Sequence, residues 1–566
     1  MLRPTPLLPL AAGLLPLLFS APAHALQHGG EASVVLQLDG VNSGDRLGES
    51  LAMMGDIDLD GTPELAIGMP FASTSGFLFN GAVDIRSGAT GAILFHFDGT
   101  ADFQNFGYTL ASRDDVDGDG LDDLLIGSPD ASPSALSDAG MFHLYSGATG
   151  LLIWQQDGAN AGDRFGAGVA LCGDLNGDGQ SEFLIGAPGA NSQDGEAVLF
   201  DGATGLALTT FSGSGAEELG SAVAAAGDLD QDGTNDLLLG APLASTGGKV
   251  ENGRVEVFSG ASYLSLRLHE GAASGNRFGS AISGRNHLNL DAIYDYLVGA
   301  PNASVFAPSA GAGIAFSGLT GIQLFRVDGQ DLADNLGACV ALCGDVNADG
   351  FGDAIVGGRL IDANGLTDSG SAFLLNGRTG AVIYRADGLA ALDNLGRAVD
   401  GGLDYDGDGN PDFIHAAPFA DPGGISLAGS AQLQRIIPGL ESTASSFSAA
   451  SGTNIDFLLD FPPTESAKAY IVLASQTGIG PTNYQSVLIP LSYDGLFQKM
   501  TVAPPPVFTG TNGILDTLGD GSANLTVAAG MAAGLSGQTI YFAALSLDPG
   551  LVPRIATNQV GITILP

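Results

Sequence analysis

The stretch FGYTLASRDDVDGDGLDDLLIGSP, residues 106–129, decides the fold. It opens on an aromatic-glycine pair, Phe106-Gly107, and closes on a Gly-x-Pro stop, Gly127-Ser128-Pro129. Between them lies an acidic loop, Asp115 to Asp123, of pattern Asp-x-Asp/Asn-x-Asp-Gly-x-x-Asp/Glu. The same loop starts at Asp56, Asp115, Asp174, Asp228, Asp345 and Asp404, and a worn copy starts at His287. Successive starts lie 59, 59, 54, 59, 58 and 59 residues apart. A fixed period of this length marks one supersecondary unit stacked on its neighbours.

The unit reads as four strands. Each copy begins with an aromatic residue or Leu followed by Gly: Leu47, Phe106, Phe165, Leu219, Phe278, Leu336 and Leu395, each nine residues before its loop. The strand after the loop is continuously apolar, as in Asp123 to Gly127, which predicts burial on both faces. Proline then ends pairing, because it cannot donate to a ladder. Repeat six departs with Gly357-Gly358-Arg359, and repeat seven has Ala416-Ala417-Pro418. A third strand (Met141 to Tyr145) leads into a Ser-Gly-Ala-Thr-Gly turn, Ser146 to Gly150, and a fourth strand, Leu151 to Trp154. Four short antiparallel strands repeated seven times predict an all-β, seven-bladed β-propeller. Repeat seven lacks its fourth strand, and residues 33–40 match that pattern ahead of repeat one. The expectation is that this segment completes the last blade and removes two open edges.

Side chains at loop positions 1, 3, 5 and 9 are hard oxygen donors that converge when the backbone curls, which suits Ca²⁺ better than Mg²⁺. The expected metal ligands are Asp56, Asp58, Asp60 and Glu64; Asp115, Asp117, Asp119 and Asp123; Asp174, Asn176, Asp178 and Glu182; Asp228, Asp230, Asp232 and Asp236; Asp345, Asn347, Asp349 and Asp353; and Asp404, Asp406, Asp408 and Asp412. About six structural Ca²⁺ sites follow. The fifth loop keeps Asp291 and Asp295 but has His287, Asn289 and Ala292, and is expected to persist as a hairpin that binds weakly or not at all.

The Phe-Gly start, Gly-Ala-Pro stop and calcium loop together resemble the FG-GAP repeats of integrin α-subunit propellers and their secreted bacterial relatives. The resemblance covers about residues 33–436. Four copies have Leu for Phe, two stops are altered and the fifth loop is worn. It implies ligand or subunit binding on the face opposite the acidic loops.

Composition agrees. Of the 566 residues 45% are hydrophobic and 86 are Gly, which marks turn-rich globular material. The net charge is −43, and with only 19 Lys and Arg nucleic-acid binding is disfavoured. The N-terminus reads as a secretory signal: Arg3, an apolar run from Leu7 to Phe19, and Ala23-His24-Ala25, with cleavage after Ala25. No later stretch is long and apolar enough to span a bilayer. The expected domains are a signal peptide (1–25), the propeller (26–437) and a C-terminal antiparallel β-sandwich (438–566). The three cysteines, Cys172, Cys339 and Cys343, read as small buried filler, since Cys339 and Cys343 sit too far apart along one strand for a disulfide.

In such a blade the acidic loops and the Ser-Gly-Ala-Thr-Gly turns share one face. The variable loops (130–139, 191–196, 243–252, 302–312 and 360–369) share the other, where recognition usually sits. Arg46, Arg164 and Arg277 precede blade starts there and are expected to pair with neighbouring acids. His96, His143, His269 and His415 are scattered singly, and no nucleophile elbow or zinc motif is present. Catalytic residues are therefore none. The reading is a secreted or cell-surface binding or adhesion module for an extracellular protein or glycan, with a secreted hydrolase or lyase acting on polysaccharide or lipid as the alternative.

Overall fold

In the computed structural model, side chains are described for residues 32–347 and 349–436; between 439 and 565 only backbone strands are described. Residues 32–436 form seven four-stranded antiparallel sheets. Six sheets are sequential hairpins. The seventh joins Ala398–Leu403, Asp412–Ala417 and Ser430–Ile436 to the N-terminal strand Ala32–Asp39. That strand pairs antiparallel from Ala32 opposite Ile436 to Asp39 opposite Ser430, as its sequence pattern predicts. The first strand of each blade packs on the first strands of both neighbours, and the circuit returns from Ala398–Leu403 to Ser50–Met54. The result is a seven-bladed β-propeller.

The second strands, such as Leu124–Ser128 and Glu182–Ala187, are buried at every position, because sheets pack on both of their faces. The outer fourth strands are mostly exposed, as in Leu152–Asp157. Apolar cores lie between successive blades; one joins Leu125, Phe142 and Leu144 of blade two to Phe165, Phe183 and Phe200 of blade three.

The start and stop motifs meet at each blade junction. Every start residue is buried, from Leu47 and Phe106 at 1% exposed to Leu395 at 7%. Fully burying such a side chain contributes roughly 1.5–3 kcal/mol. Each also forms a parallel bridge to a glycine of the preceding blade, for example Phe165 to Gly140 and Leu219 to Gly195. The following glycine takes φ near +90°, as Gly220 does at 89°. At six junctions its carbonyl lies against the stop glycine of the previous blade, while Ala416 takes that place in blade seven: a Cβ on Gly186 would stand 1.9 Å from Gly220 O. The two glycines are thus one steric requirement seen from two blades.

The axial channel is bridged at its acidic-loop end. Arg285 of blade five reaches Asp114 of blade two through two hydrogen bonds of 2.7 and 3.0 Å. Arg113 donates to Asp400 of blade seven at 3.3 Å and to the carbonyl of Met53 at 3.3 Å.

The signal-peptide expectation falls outside the described residues. Beyond the propeller, strands 439–442, 453–460 and 520–527 form one antiparallel sheet, and 446–448, 469–475, 512–514, 539–547, 553–556 and 560–565 form another with one parallel pair. All three cysteines are free. Cys339 and Cys343 share the strand Cys339–Gly344, and Cys172 and Cys343 are buried.

Candidate metal centres on the acidic-loop rim

Every loop is a hairpin turn between the first and second strands, curled by its own carboxylates. The position-1 acid accepts backbone N–H groups from positions 4 to 6. Asp115, for instance, takes those of Gly118 (2.7 Å), Asp119 (3.2 Å) and Gly120 (2.7 Å). The position-5 acid accepts from position 7, as Asp60 does from Thr62 at 2.8 Å. The position-9 acid is different. It starts the second strand, or in blade two directly precedes it, and is 0–1% exposed in every blade. One of its oxygens accepts the position-2 N–H: Val116 to Asp123 at 2.7 Å, Leu229 to Asp236 at 2.8 Å, Tyr405 to Asp412 at 2.8 Å. In blades two, four, five and six the other takes an N–H from the turn between the third and fourth strands, as Gly147 to Asp123 at 3.0 Å and Gly260 to Asp236 at 3.1 Å. A buried acid therefore staples the two turns of this face together.

Carboxylate oxygens converge within 4.8 Å in five places. Loop one brings all four expected ligands together: Asp56, Asp58, Asp60 and Glu64. Loops two, four and seven group Asp115, Asp117 and Asp123; Asp228, Asp230 and Asp236; and Asp404, Asp406 and Asp412. Asp119 and Asp232 stay out of their groups, each within 3.4 Å of a turn serine, Ser146 or Ser259. Asp408 lies 3.8 Å from Arg435, which also pairs with Asp406. In loop three the group is Asp178, Glu182 and Asp201. Asp174 is turned to the N–H groups of Gly177, Asp178 and Gly179, and Asn176 donates to Glu182 at 2.9 Å and to Asp201 at 3.3 Å. In loop six Asp345 accepts from Asp349 and Gly350 N–H, Asp349 accepts from the Asn347 and Asn376 amides, and Asp353 from Val346 and Gly377. Among the described residues, no three of its acids form such a group.

Asp201 and Arg435 escaped the sequence reading. Asp201 occupies the first position of the turn that reads Ser-Gly-Ala-Thr-Gly in blades one and two, so its signal was a single substitution in a repeated motif. Arg435 stands where the broken seventh blade has no such turn.

The electrostatics favour a cation. Burial, with the neighbouring loop acids adding to it, pushes Glu64 up to about 7 and Asp412 up to about 8. Burial likewise holds Asp123 and Glu182 at about 7 and Asp236 at about 6. Glu64 Oε1 and Asp412 Oδ1 are buried with no hydrogen-bond partner. Orphaned carboxylate oxygens beside two or three further carboxylates are the donor set a hard divalent ion takes. The residues fit such an ion.

The fifth loop keeps its hairpin. Asp295 still accepts from Leu288 (2.7 Å) and Gly318 (2.9 Å), and His287 stacks on Tyr294 with centroids 4.5 Å apart. Neighbouring loops are tied together around the rim: Asp122 accepts Gly55 N–H at 2.7 Å, and Tyr405 donates to Glu64 O at 2.6 Å.

On the opposite face, Arg164 pairs with Asp130 (3.4 Å) and Arg277 with Glu251 (3.5 Å), as expected. Arg46 instead lies between the rings of Phe71 and Phe419, 4.1 and 4.3 Å from their centroids. Among the strand histidines, burial lowers His143, His269 and His415 to about 4; His143 and His415 lie in the core, and His269, half-buried on an outer strand, meets the Tyr296 hydroxyl at 2.6 Å. Trp154 donates to Gly202 O at 2.8 Å as a packing residue.

The profile of the FG-GAP repeat family matches residues 106–145, 165–200 and 219–258, which are blades two, three and four. Their geometry, a Phe-Gly or Leu-Gly start, an acidic loop and a Gly-x-Pro stop, is the one described above. The chain carries an integrin-α-like FG-GAP β-propeller. The propeller is similar to integrin alpha-PS2 of Drosophila melanogaster, 38% identical over 170 residues, or 28% of this chain and 12% of that protein. It is also similar to integrin alpha-V of Gallus gallus, 30% identical over 213 residues, and integrin alpha-5 of Xenopus laevis, 32% identical over 213 residues; each match covers 34% of this chain and 20% of the relative. The chain thus spans about an eighth to a fifth of the length of these relatives. A europium-containing methanol dehydrogenase aligns at a TM-score of 0.34 and 10% identity over 66% of this chain and 80% of that one, too distant to bear on function. Among the described residues, no helix of the FG-GAP chain is long and apolar enough to cross a membrane.

Proposed function

We propose that this chain is exported, cut after Ala25, and acts as a calcium-stabilised binding or adhesion module at the cell surface or outside the cell. Residues 26–437 form the binding propeller and 438–566 a separate sandwich domain. Its partner, an extracellular protein or glycan, meets the loop face opposite the acidic rim. The observation that carries this reading is the division of labour between the two faces. One rim repeats a single acidic device. The other presents loops of differing sequence and length on a rigid ring, the usual place for recognition. Phe79 and Phe103 support it, exposed by 43% and 56% on that face with ring centroids 5.9 Å apart. Exposed aromatic pairs of this kind are frequent at interfaces.

The groups assigned to Ca²⁺ are the six ligand sets named from the sequence, with Asp201 added to the third. The ion supplies no reaction chemistry in this reading. It neutralises buried carboxylates and holds each pair of turns, and because the unfolded chain lacks the cage, binding adds to folding free energy. Arg435 already offsets charge in the seventh loop, so that site is the weaker one. Screening the full chain with and without Ca²⁺ against extracellular proteins and polysaccharides tests the proposal. Saturable binding lost on Phe79→Ala with Phe103→Ala supports it; turnover of a polysaccharide or lipid would overturn it in favour of a hydrolase or lyase.

A further inference from the structure

Two places at every blade junction of the loop face hold left-handed backbone. One lies three residues before the start residue, where the chain has Gly44, Gly162 and Gly275, Ala216 and Ala333, or Leu392. Ahead of blade two that place is Phe103, at φ 58°. The other lies two residues before the bridging glycine, where the chain has Asp138, Gln193, Glu251, Ser309, Asp368 or Leu427. In blade one that place is Phe79, at φ 48°. Only the junction of blades one and two puts an apolar side chain larger than alanine at both. Left-handed backbone disfavours any residue with a Cβ, and bulky ones most. The strain is accepted twice at one spot, and neither ring is buried in return. Strain kept without a core to reward it is a mark of ligand-contacting segments.

Phe77 and Leu78 join the two rings, exposed by 38% and 57%, so the junction carries a patch rather than scattered single residues. The patch is locked from behind. Phe77 N–H donates to Thr74 O at 3.0 Å and Leu78 N–H to Asp102 Oδ1 at 2.8 Å. Phe79 N–H donates to Ser73 Oγ at 3.0 Å and Phe103 N–H to Leu78 O at 2.7 Å. A partner meets fixed rings, which keeps the ordering cost of binding low. The frame of the patch is acidic. Residues 71–81 and 99–107 contain no Lys or Arg, and their one charge is Asp102. Asp98 holds the first of these loops by accepting from Ser75 Oγ at 3.0 Å. Arg46, which touches the start of that loop, is taken up between the rings of Phe71 and Phe419.

We infer that this patch docks a basic partner protein. The partner seats an aliphatic or aromatic side chain on Phe79 and Phe103 and sets Lys or Arg against Asp98 and Asp102. The inference rests on the loop face being the binding face. An apolar centre with charges of opposite sign around it is the arrangement of a hot spot and its rim. A sugar fits less well: the rings are tilted by 38° rather than coplanar, phenylalanine offers nothing to a hydroxyl, and the four N–H groups of the patch are spent. A second copy brings the same net charge of −43, and an anionic lipid surface is repelled likewise.

The probe is a short amphipathic helix of Leu and Lys, titrated by calorimetry into the full chain in Ca²⁺. The comparisons are oligolysine of equal charge, the same helix with Glu for Lys, a neutral galactose oligomer and phosphatidylserine vesicles. The Leu-Lys helix is expected to bind most tightly. Phe103→Gly, which restores the residue of three other junctions, is expected to keep the melting temperature and weaken that binding about 10- to 100-fold, while oligolysine binds as before. Phe79→Asp, which restores the residue of blades two and six, adds attraction for a cation and is still expected to weaken binding by a similar factor. Asp102→Asn keeps the acceptor for Leu78 N–H and is expected to weaken binding about 2- to 5-fold, with a shallower dependence on salt. The proposal is overturned if the Leu-Lys helix does not bind, if its binding survives Phe103→Gly and Phe79→Asp, or if any comparison ligand binds as tightly. Should the sugar bind and depend on Phe79 and Phe103, the basic partner falls and the binding-module reading stands.

Discussion

Asp123 and Asp117 belong to one loop but are predicted to do different work. Asp123 is fully buried and accepts three backbone hydrogen bonds, from Val116 at 2.7 Å, Asp117 at 3.2 Å and Gly147 at 3.0 Å. Asp123→Ala removes all three acceptors. The Asp117 N–H lies near the rim and can turn to water, but those of Val116 and Gly147 are enclosed. At about 1–3 kcal/mol for each buried donor left unpaired, the loss is roughly 4 kcal/mol before any cation is considered. In a ring of this size that lowers the melting temperature by on the order of 5 °C or more. Asp117 sits on the rim beside Asp115 and Asp119, whose negative charges, after burial, raise its pKa. Asp117→Asn should therefore cost nothing in chelator, or stabilise by a few tenths of a kcal/mol through relief of repulsion, on the order of an exposed charge pair. In millimolar Ca²⁺ the same change should destabilise, because a ligand charge is gone. The assay is urea and thermal unfolding of the wild type and both variants, each with Ca²⁺ and with chelator. Equal losses for Asp117→Asn in the two buffers, or an Asp123→Ala protein as stable as wild type in chelator, would refute the division into a buried staple and a rim ligand.

Chelation alone should lower the wild-type melting temperature by many degrees, and an unchanged calorimetric scan would count against cation support. The pH dependence follows from the raised buried acids. Glu64, Asp123, Glu182, Asp236 and Asp412 titrate at about 6–8 when folded. Their unfolded values are about 4, so the cation-free fold holds extra protons; its stability is fullest below about pH 4 and falls as pH rises through 6–8. With Ca²⁺ the ionised forms are favoured, so the gap between the two unfolding curves should widen from pH 5 to 8; a constant gap would contradict this. Gly186→Ala puts a methyl carbon 1.9 Å from Gly220 O and should destabilise by roughly 3 kcal/mol, read from the denaturant midpoint. Arg435→Gln frees Asp406 and Asp408 and should tighten cation binding at the seventh loop severalfold, measured by titration against the wild type.

The ring was legible in the sequence because its information is local and repeated. The nine-residue offset from start motif to loop located even the worn copy at His287, and the pattern at 33–40 identified the missing strand. The clustering of acids in loops one, two, four and seven was legible for the same reason, since positions 1, 3 and 9 lie within one turn. What stayed hidden depends on distant register. Asp201 joins Asp178 and Glu182 only because two hairpin turns fold over each other. Arg285 meets Asp114 across 171 residues of chain, and no local pattern encodes that pairing. Asp119 and Asp232 were expected to point inward with their neighbours, but the serine of the adjoining turn offers each a competing hydrogen bond. Arg359 was visible as a lapse in a stop motif.

The seam of the seventh blade dictates a timetable for biosynthesis. Residues 32–39 are among the first of the propeller to be made, yet their partner, 430–436, arrives some 390 residues later. At about 5–20 residues per second the early segment waits roughly 20–80 s with its backbone unpaired. During that interval six hairpin sheets can assemble one upon the next, each from nearby chain, while the final join has to wait for almost the whole propeller. The slowest step and the greatest exposure to misassembly therefore fall on the same eight residues.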